Sequence, residues 1–295
     1  MLISTLCISY VLSIQVFIVP SFEYKTLSQA VANAVDGDVI QVVQNMNCEN
    51  NNSNNYSNNN NNNNIIGDYN GTIIQGKNLT IIGNNNAITL DCMGKSRAFT
   101  IVSSAEIPIS VTILGIQFKN GNATTGGALL ITGIVGRIVV KNCTFLENIS
   151  TGTLFDQGGA GLMIHAKSTI PWFTNIQITT CSFFRNNASV STNVGGALGL
   201  YFDNNIVSGI QIDISYALIF QHNFASGISI YFYNNLVENS VMNIGNGIQS
   251  FANEIQPLGT FANNCYDCGG TGIDLVFFSN VVNTTLDFGS NGNFS

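Results

Sequence analysis

A chain of 295 residues can bury a sizeable core, in one elongated unit or two compact ones. Apolar residues make up 45% of it and charged residues only 8%, which excludes a disordered polyampholyte and a coiled coil. With 16 acidic against 9 basic residues and no Lys/Arg cluster, it lacks the footprint of a phosphate-backbone binder, so nucleic acid is not an expected partner.

The first twenty residues, MLISTLCISYVLSIQVFIVP, carry no charge. They read as a secretory signal peptide over residues 1–21, with Val19 and Ser21 at the small-residue positions before a cut ahead of Phe22. An uncleaved anchor is the alternative, because about nineteen apolar residues suffice to cross a bilayer, and membrane contact is expected only through this leader. Cleavage would remove Cys7 and leave Cys48, Cys92, Cys143, Cys181, Cys265 and Cys268, an even count that suits an oxidising compartment. Sequons at Asn51, Asn55, Asn70, Asn78, Asn122, Asn142, Asn148, Asn187, Asn283 and Asn293 favour a secreted or cell-surface location. Asn70, Asn78, Asn122, Asn187 and Asn283 are the glycosylation candidates.

In YKTLSQAVANAVDGDVIQVV, Leu27, Ala30, Val31, Ala34 and Val35 form one apolar helical stripe, with Thr26 or Ser28 available as N-cap. DGD stops the helix, and Val39 to Val43 reads as a strand. Residues 44–64 are a polar, Asn-rich tract that cannot bury enough apolar area to offset its ordering entropy, so a disordered insertion is expected there. From Ile65 onward, short β-branched and aromatic runs alternate with Gly/Asn/Ser turns, and no further helical period occurs. The chain is expected to be all-β, with residues 22–295 forming a single domain.

Two phrases recur. Phe118, Phe145, Phe183, Phe220 and Phe261 are 27, 38, 37 and 41 residues apart, and the last four are followed three residues later by Asn148, Asn186, Asn223 and Asn264. The first copy is one residue shorter, with Asn120. Between them stand Gly-led apolar runs: GGALLI, GGAGLMI, GGALGLYF, SGISIYF and GGTGIDLVFF. A repeat made only of strands cannot close a core alone, so successive copies must stack, with equivalent residues about 4.8 Å apart. Phe and Ile then form interior ladders, and the Asn turns each corner, where left-handed backbone and side-chain hydrogen bonds are needed.

The F-x-x-N and G-G-A phrases resemble the right-handed parallel β-helix proteins of the pectin-lyase-like superfamily, and especially the repeats of polymorphic outer membrane proteins. The resemblance implies a right-handed parallel β-helix with a short N-terminal capping helix. Because that superfamily includes polysaccharide lyases and hydrolases, it also raises an enzyme as an alternative.

Sugar hydrolysis needs two or three converging carboxylates, and elimination beside a uronate needs a basic side chain assisted by carboxylate-bound calcium. Asp156, Asp203, Asp213 and Asp274 are scattered, and Asp203 with Asp213 is the least implausible catalytic pair should the protein be an enzyme. His165 and His222 read as hydrogen-bonded surface residues, and Lys141, Lys167 and Arg185 do not cluster. Cys143 and Cys181 stand two places before the repeated Phe, where Ile116 and Leu218 stand in other copies. They are therefore core residues first and a candidate disulfide second, while Cys265 and Cys268 of CYDC are a second candidate pair. Trp172 lies in a longer connection, where it either packs locally or stacks on a sugar ring. No metal or cofactor site is expected. The sequence thus points to a secreted or cell-surface repeat protein without catalysis that contacts glycans, cell wall or cell-surface proteins. A polysaccharide lyase or glycoside hydrolase, and a structural segment of a larger surface protein, stand as the alternatives.

Overall fold

The apolar stripe after the leader becomes a helix over Leu27–Asn33, capped by Thr26, whose hydroxyl accepts from Gln29 N–H at 3.3 Å while Gln29 Oε1 accepts from Thr26 N–H. Leu27, Ala30 and Val31 are buried, but the helix ends before Val35, which is largely exposed. The computed structural model describes residues 13–48, 71–84, 88–103, 107–152, 157–167, 173–188, 196–203, 206–215, 218–221, 223, 227–233, 236–244, 248–251, 265–266, 273–277, 281–282, 284–287 and 293–294. Among these, every other element is a strand.

Most strands assemble into three long sheets, and the others form two three-stranded sheets. The first has nine strands, starting with Val16–Val19 and continuing through Val39–Val42, Leu79–Gly83, Ile109–Leu114, Val135–Lys141, Asn175–Thr179, Gln211–Ser215, Val241–Ile244 and Thr285–Asp287. The second has eight, from Met46–Asn47 to Asn293–Phe294, and the third has eight, including Thr72–Gln75, Phe99–Val102, Leu129–Gly133, Leu162–Lys167, Leu198–Asp203, Ile228–Tyr233 and Ile273–Phe277. Each coil visits the three sheets in turn. Neighbouring coils pair in parallel, except where Cys265–Tyr266 runs antiparallel to Ile273–Phe277. The fold is the expected parallel β-helix with an N-terminal capping helix.

Register shows why these residue types recur. Phe118, Phe145, Phe183 and Phe220 are partners on consecutive rungs of the second sheet. Their rings stack at centroid spacings of 5.1, 4.7 and 4.7 Å with interplanar angles of 17°, 8° and 6°. Phe202 and Phe232 repeat the arrangement in the third sheet at 4.7 Å. Asn148, Asn186 and Asn223 form a fully buried amide ladder beside the Phe column. Asn148 Nδ2 donates to Asn186 Oδ1 at 2.9 Å and Asn186 Nδ2 to Asn223 Oδ1 at 3.0 Å, and each amide also donates to the carbonyl of a Phe one rung earlier.

Several expectations need correction. The left-handed corner residues are Glu147 and Arg185, with φ of 56° and 52°, each one position before the ladder Asn. Asn120, at φ 52°, takes that same left-handed position. Gly121 therefore stands in the ladder place of the first copy, donating its N–H to Asn148 Oδ1 at 2.7 Å. After Phe220 the Phe column passes to Ser250 and then Phe294. Phe261 and Asn264, taken as the fifth copy, lie outside the described residues, and the interval of 41 overshoots the rung. Met46–Asn47, inside the expected Asn-rich insertion, is a strand paired with Leu90–Asp91, and most of the remaining tract lies outside the described residues. Residues 16–19, assigned to the leader from sequence, form the first strand of the first sheet, with Phe17 and Val19 in the core.

Glycine matters where rungs crowd. Gly126 has φ +58° and a Cβ there would lie 2.5 Å from Leu129 O, while a Cβ on Gly127 would meet Ile149 O at 2.3 Å.

Candidate functional site

A strand whose inward side chains fill a core normally offers polar residues outward, and the first sheet follows this rule, with Arg137, Lys141 and Gln211 exposed. The third sheet does not. Its inward residues Leu129, Ile131, Leu162, Ile164, Leu198, Leu200, Ile228 and Ile230 belong to the main core, yet its outward residues Leu130, Met163 and Tyr201 form a second buried cluster, with Tyr231 and Tyr233 packed against it.

Register lays this outer face out in columns. Thr132, His165, Tyr201 and Tyr231 are partners on four successive strands, and Lys167, Asp203 and Tyr233 are partners on three. The His165 ring meets Tyr201 edge-on at 4.9 Å, and Tyr201 lies 6.2 Å from Tyr233 at an interplanar angle of 25°. His165 is 6% exposed and its Nε2 has no hydrogen-bond partner among the described residues. Burial, reinforced by the charge of Lys167, pushes its pKa down to about 3, so the imidazole is neutral at physiological pH. Lys167 is half-buried and makes no hydrogen bond or ion pair among the described residues. The half-buried edge of the face therefore presents the Tyr231 and Tyr233 rings with the side chains of Lys167 and Asp203, beside a buried, neutral imidazole.

Asp203 and Asp213 do not converge. Asp203 projects from the third sheet and Asp213 from the first, where it accepts a hydrogen bond from Ser215 Oγ, so the two stand on different sheets. Asp156, His222 and Trp172 lie outside the described residues, as do Cys268, Asn70 and Asn283, and the Asp274 and Cys265 side chains are likewise not described. His165, expected as a hydrogen-bonded surface residue, is buried against Tyr201. Lys141 and Arg185 belong to other faces, Arg185 pairing with Glu147 at 3.3 Å in an exposed ion pair. No group of three potential metal-ligating residues occurs among the described residues.

Cys143 and Cys181, the candidate bridge, are free buried thiols. Each sulfur contacts the carbonyl two residues before it, Lys141 O and Thr179 O, both at 3.3 Å, and the two thiols are hydrogen-bonded to each other along the column without a covalent bond between them. Burial pushes the Cys181 thiol well above its ordinary range. A disulfide joins Cys48 to Cys92, with Cα atoms 4.5 Å apart, at a corner next to left-handed Met93. Among glycosylation candidates, Asn78 accepts from Ser110 N–H at 2.7 Å, Asn122 Nδ2 donates to Gly94 O at 3.2 Å, and Asn187 is half-buried. The sequence reading missed the tyrosine face. Its signal was the run of adjacent apolar residues in LLITG, LMIHAK, LGLYFD and ISIYFY, where strict alternation fails because both faces are covered.

The register and three-sheet coil define the class, a parallel β-helix. No family model matches the chain, and no curated protein matches it. Among solved structures it is similar to the PL6 family alginate lyase AlyGC, with 12% identity and a TM-score of 0.33 over 92% of this chain and 40% of that one. It is also similar to ORF18 of Geobacillus virus E2, with 10% identity and a TM-score of 0.30 over 91% of this chain and 59% of that one. The chain thus spans less than two thirds of the length of either.

Proposed function

We propose that this protein is a secreted or cell-surface β-helix that works by contact and not by catalysis, holding a glycan on the tyrosine-lined outer face of its third sheet. The observation that carries the reading is the second apolar cluster outside the core, with Tyr231 and Tyr233 at its half-buried edge and Lys167 and Asp203 beside them. Tyrosine rings offer flat apolar faces to the C–H faces of sugars while their hydroxyls stay polar, and Lys and Asp can bond sugar hydroxyls. Because the columns run along the stack, an extended polymer fits better than a small molecule. The Cys48–Cys92 disulfide and the sequons suit an extracellular setting. The resemblance of the repeats to the pectin-lyase-like superfamily and to polymorphic outer membrane proteins accords with a surface role.

The test is a glycan array followed by titration calorimetry with the oligosaccharides that bind. Tyr233→Ala and Lys167→Ala are each expected to weaken binding by at least ~10-fold, about 1.4 kcal/mol, while both variants remain folded at the assay temperature. Absence of binding to any glycan, or binding indifferent to both substitutions, sinks the proposal.

A polysaccharide lyase is the second reading, favoured by one observation: Lys167 lacks a partner among the described residues and stands in register with Asp203 and Tyr233. Elimination needs a base beside the uronate, a part the Lys167 amine plays only once it has given up its proton. An unsaturated-uronate chromophore appearing from a uronate polymer, and lost in Lys167→Ala, would establish it.

A further inference from the structure

The first rung bears on how the chain is processed. Val16–Val19 pairs residue for residue with Val39–Val42, with Phe17 at 4% and Val19 at 0% exposure and the Phe17 ring edge-on to Tyr24 at 5.1 Å. Gln15 extends the joint in both directions. Its N–H donates to Asp38 Oδ1 at 2.9 Å, and its carbonyl accepts from Val39 N–H at 2.9 Å. Asp38 is 1% exposed, and its other carboxylate oxygen accepts from Val35 N–H at 2.8 Å, just past the helix. The first strand, the capping helix and the second strand are thus tied through one buried carboxylate.

Both outcomes read from the sequence conflict with this joint. A cut ahead of Phe22 deletes the strand and leaves Asp38 without its Gln15 donor, and an anchor over the first nineteen residues draws Phe17 and Val19 into lipid. The fold instead tolerates a break just before Gln15, since residues 13–16 are exposed and burial begins at Phe17.

We propose that a signal peptidase cuts between Ser13 and Ile14, so that the mature chain begins at Ile14. Two of the features of a signal peptide stand before that bond, the apolar stretch and the small residues, while no charged residue precedes them. Leu2 to Leu12 is an uncharged, mostly apolar stretch within the length of a signal h-region, and Val11 and Ser13 stand at the third and first positions before the bond. Water adds across the Ser13–Ile14 peptide bond, leaving a carboxylate on Ser13 and an amine on Ile14. The joint at Asp38 and the core strand stay whole. This inference rests on the packing of the first rung and is independent of the ligand.

The experiment is secretion of the full-length chain from cells, with intact mass and N-terminal sequencing of the product. The expected N-terminus is Ile14. Ser13→Leu, which places a bulky side chain at the cut, is expected to block processing, while Ser21→Leu leaves the N-terminus at Ile14. A product beginning at Phe22, a product retaining Met1, or a block caused by Ser21→Leu and not by Ser13→Leu overturns the proposal. A glycan array that comes back empty leaves it untouched.

Discussion

Replacing His165 with Gln is expected to remove most of the acid sensitivity of the fold between neutral pH and about pH 5. In the folded protein the imidazole titrates at about 3 against 6.5 for a free side chain, first because burial penalises the cation and second because Lys167 repels it. A depressed histidine pKa means that the neutral form is the one favoured on folding. The contribution is therefore complete above the unfolded pKa and is lost as pH falls from 6.5 toward 3. Each unit corresponds to about 1.4 kcal/mol, so about 2 kcal/mol is lost by about pH 5 and about 5 kcal/mol once the pH is below the folded value. The assay is urea unfolding of wild type and His165→Gln at about pH 7.5, 6 and 5. The substitution costs stability at neutral pH, because the edge-on contact with Tyr201 is lost, but the two proteins should converge by about 2 kcal/mol on acidification. His222 is common to both and cancels. Parallel pH profiles would refute the reasoning, because they would mean that His165 is not held neutral by its surroundings.

Four further outcomes follow from the columns and corners. Asn186→Ala removes a side chain that accepts from Asn148 and donates to Phe145 O and Asn223, stranding buried groups, so a loss of roughly 3 kcal/mol or more is expected in urea unfolding. Arg185→Ala, which breaks an exposed ion pair one residue away, should cost no more than about 0.5 kcal/mol. Peptide mapping of protein secreted from a glycosylating host should find Asn148 bare despite its sequon, since the Nδ2 that would carry the sugar is buried and bonded to Phe118 O and Asn186 Oδ1. A glycan there on folded protein would contradict the ladder. Alkylation with iodoacetamide should label Cys143 and Cys181 only after denaturation, and labelling of either in the native protein would show that the column opens.

The parts of the fold legible in the sequence are those where a column demands one residue type. Stacked rings reward Phe over Phe, and a buried corner that must satisfy its amides rewards Asn over Asn, so the middle coils announced themselves through Phe145, Phe183, Asn148 and Asn186. The same logic misled at the end of the chain, because a column does not oblige every rung to use Phe. Ser250 occupies the next rung after Phe220, and a search for aromatics passes over it to Phe261. At the beginning, the strand VFIV has inward Phe17 and Val19 but outward Val16 and Ile18, so no alternation sets it apart from the apolar residues before it.

The site was hidden for a related physical reason. Alternation identifies a sheet with one wet face, and the third sheet buries residues on both, so Leu129, Leu130 and Ile131 read as one continuous apolar run with no outer face to notice. Only register separates them, setting His165 over Tyr201 and Tyr231 and Lys167 over Asp203 and Tyr233. Register likewise decides the cysteines. Cys48 and Cys92 flank paired strands and meet at a corner, while Cys143 and Cys181 occupy equivalent places on neighbouring rungs but point the same way into the core. In a stacked coil, proximity between equivalent residues comes free from the repeat. What separates a bond or a binding face from mere adjacency is the direction of the side chain, and that depends on whether the position lies on the inward column, at the corner, or on the outer face.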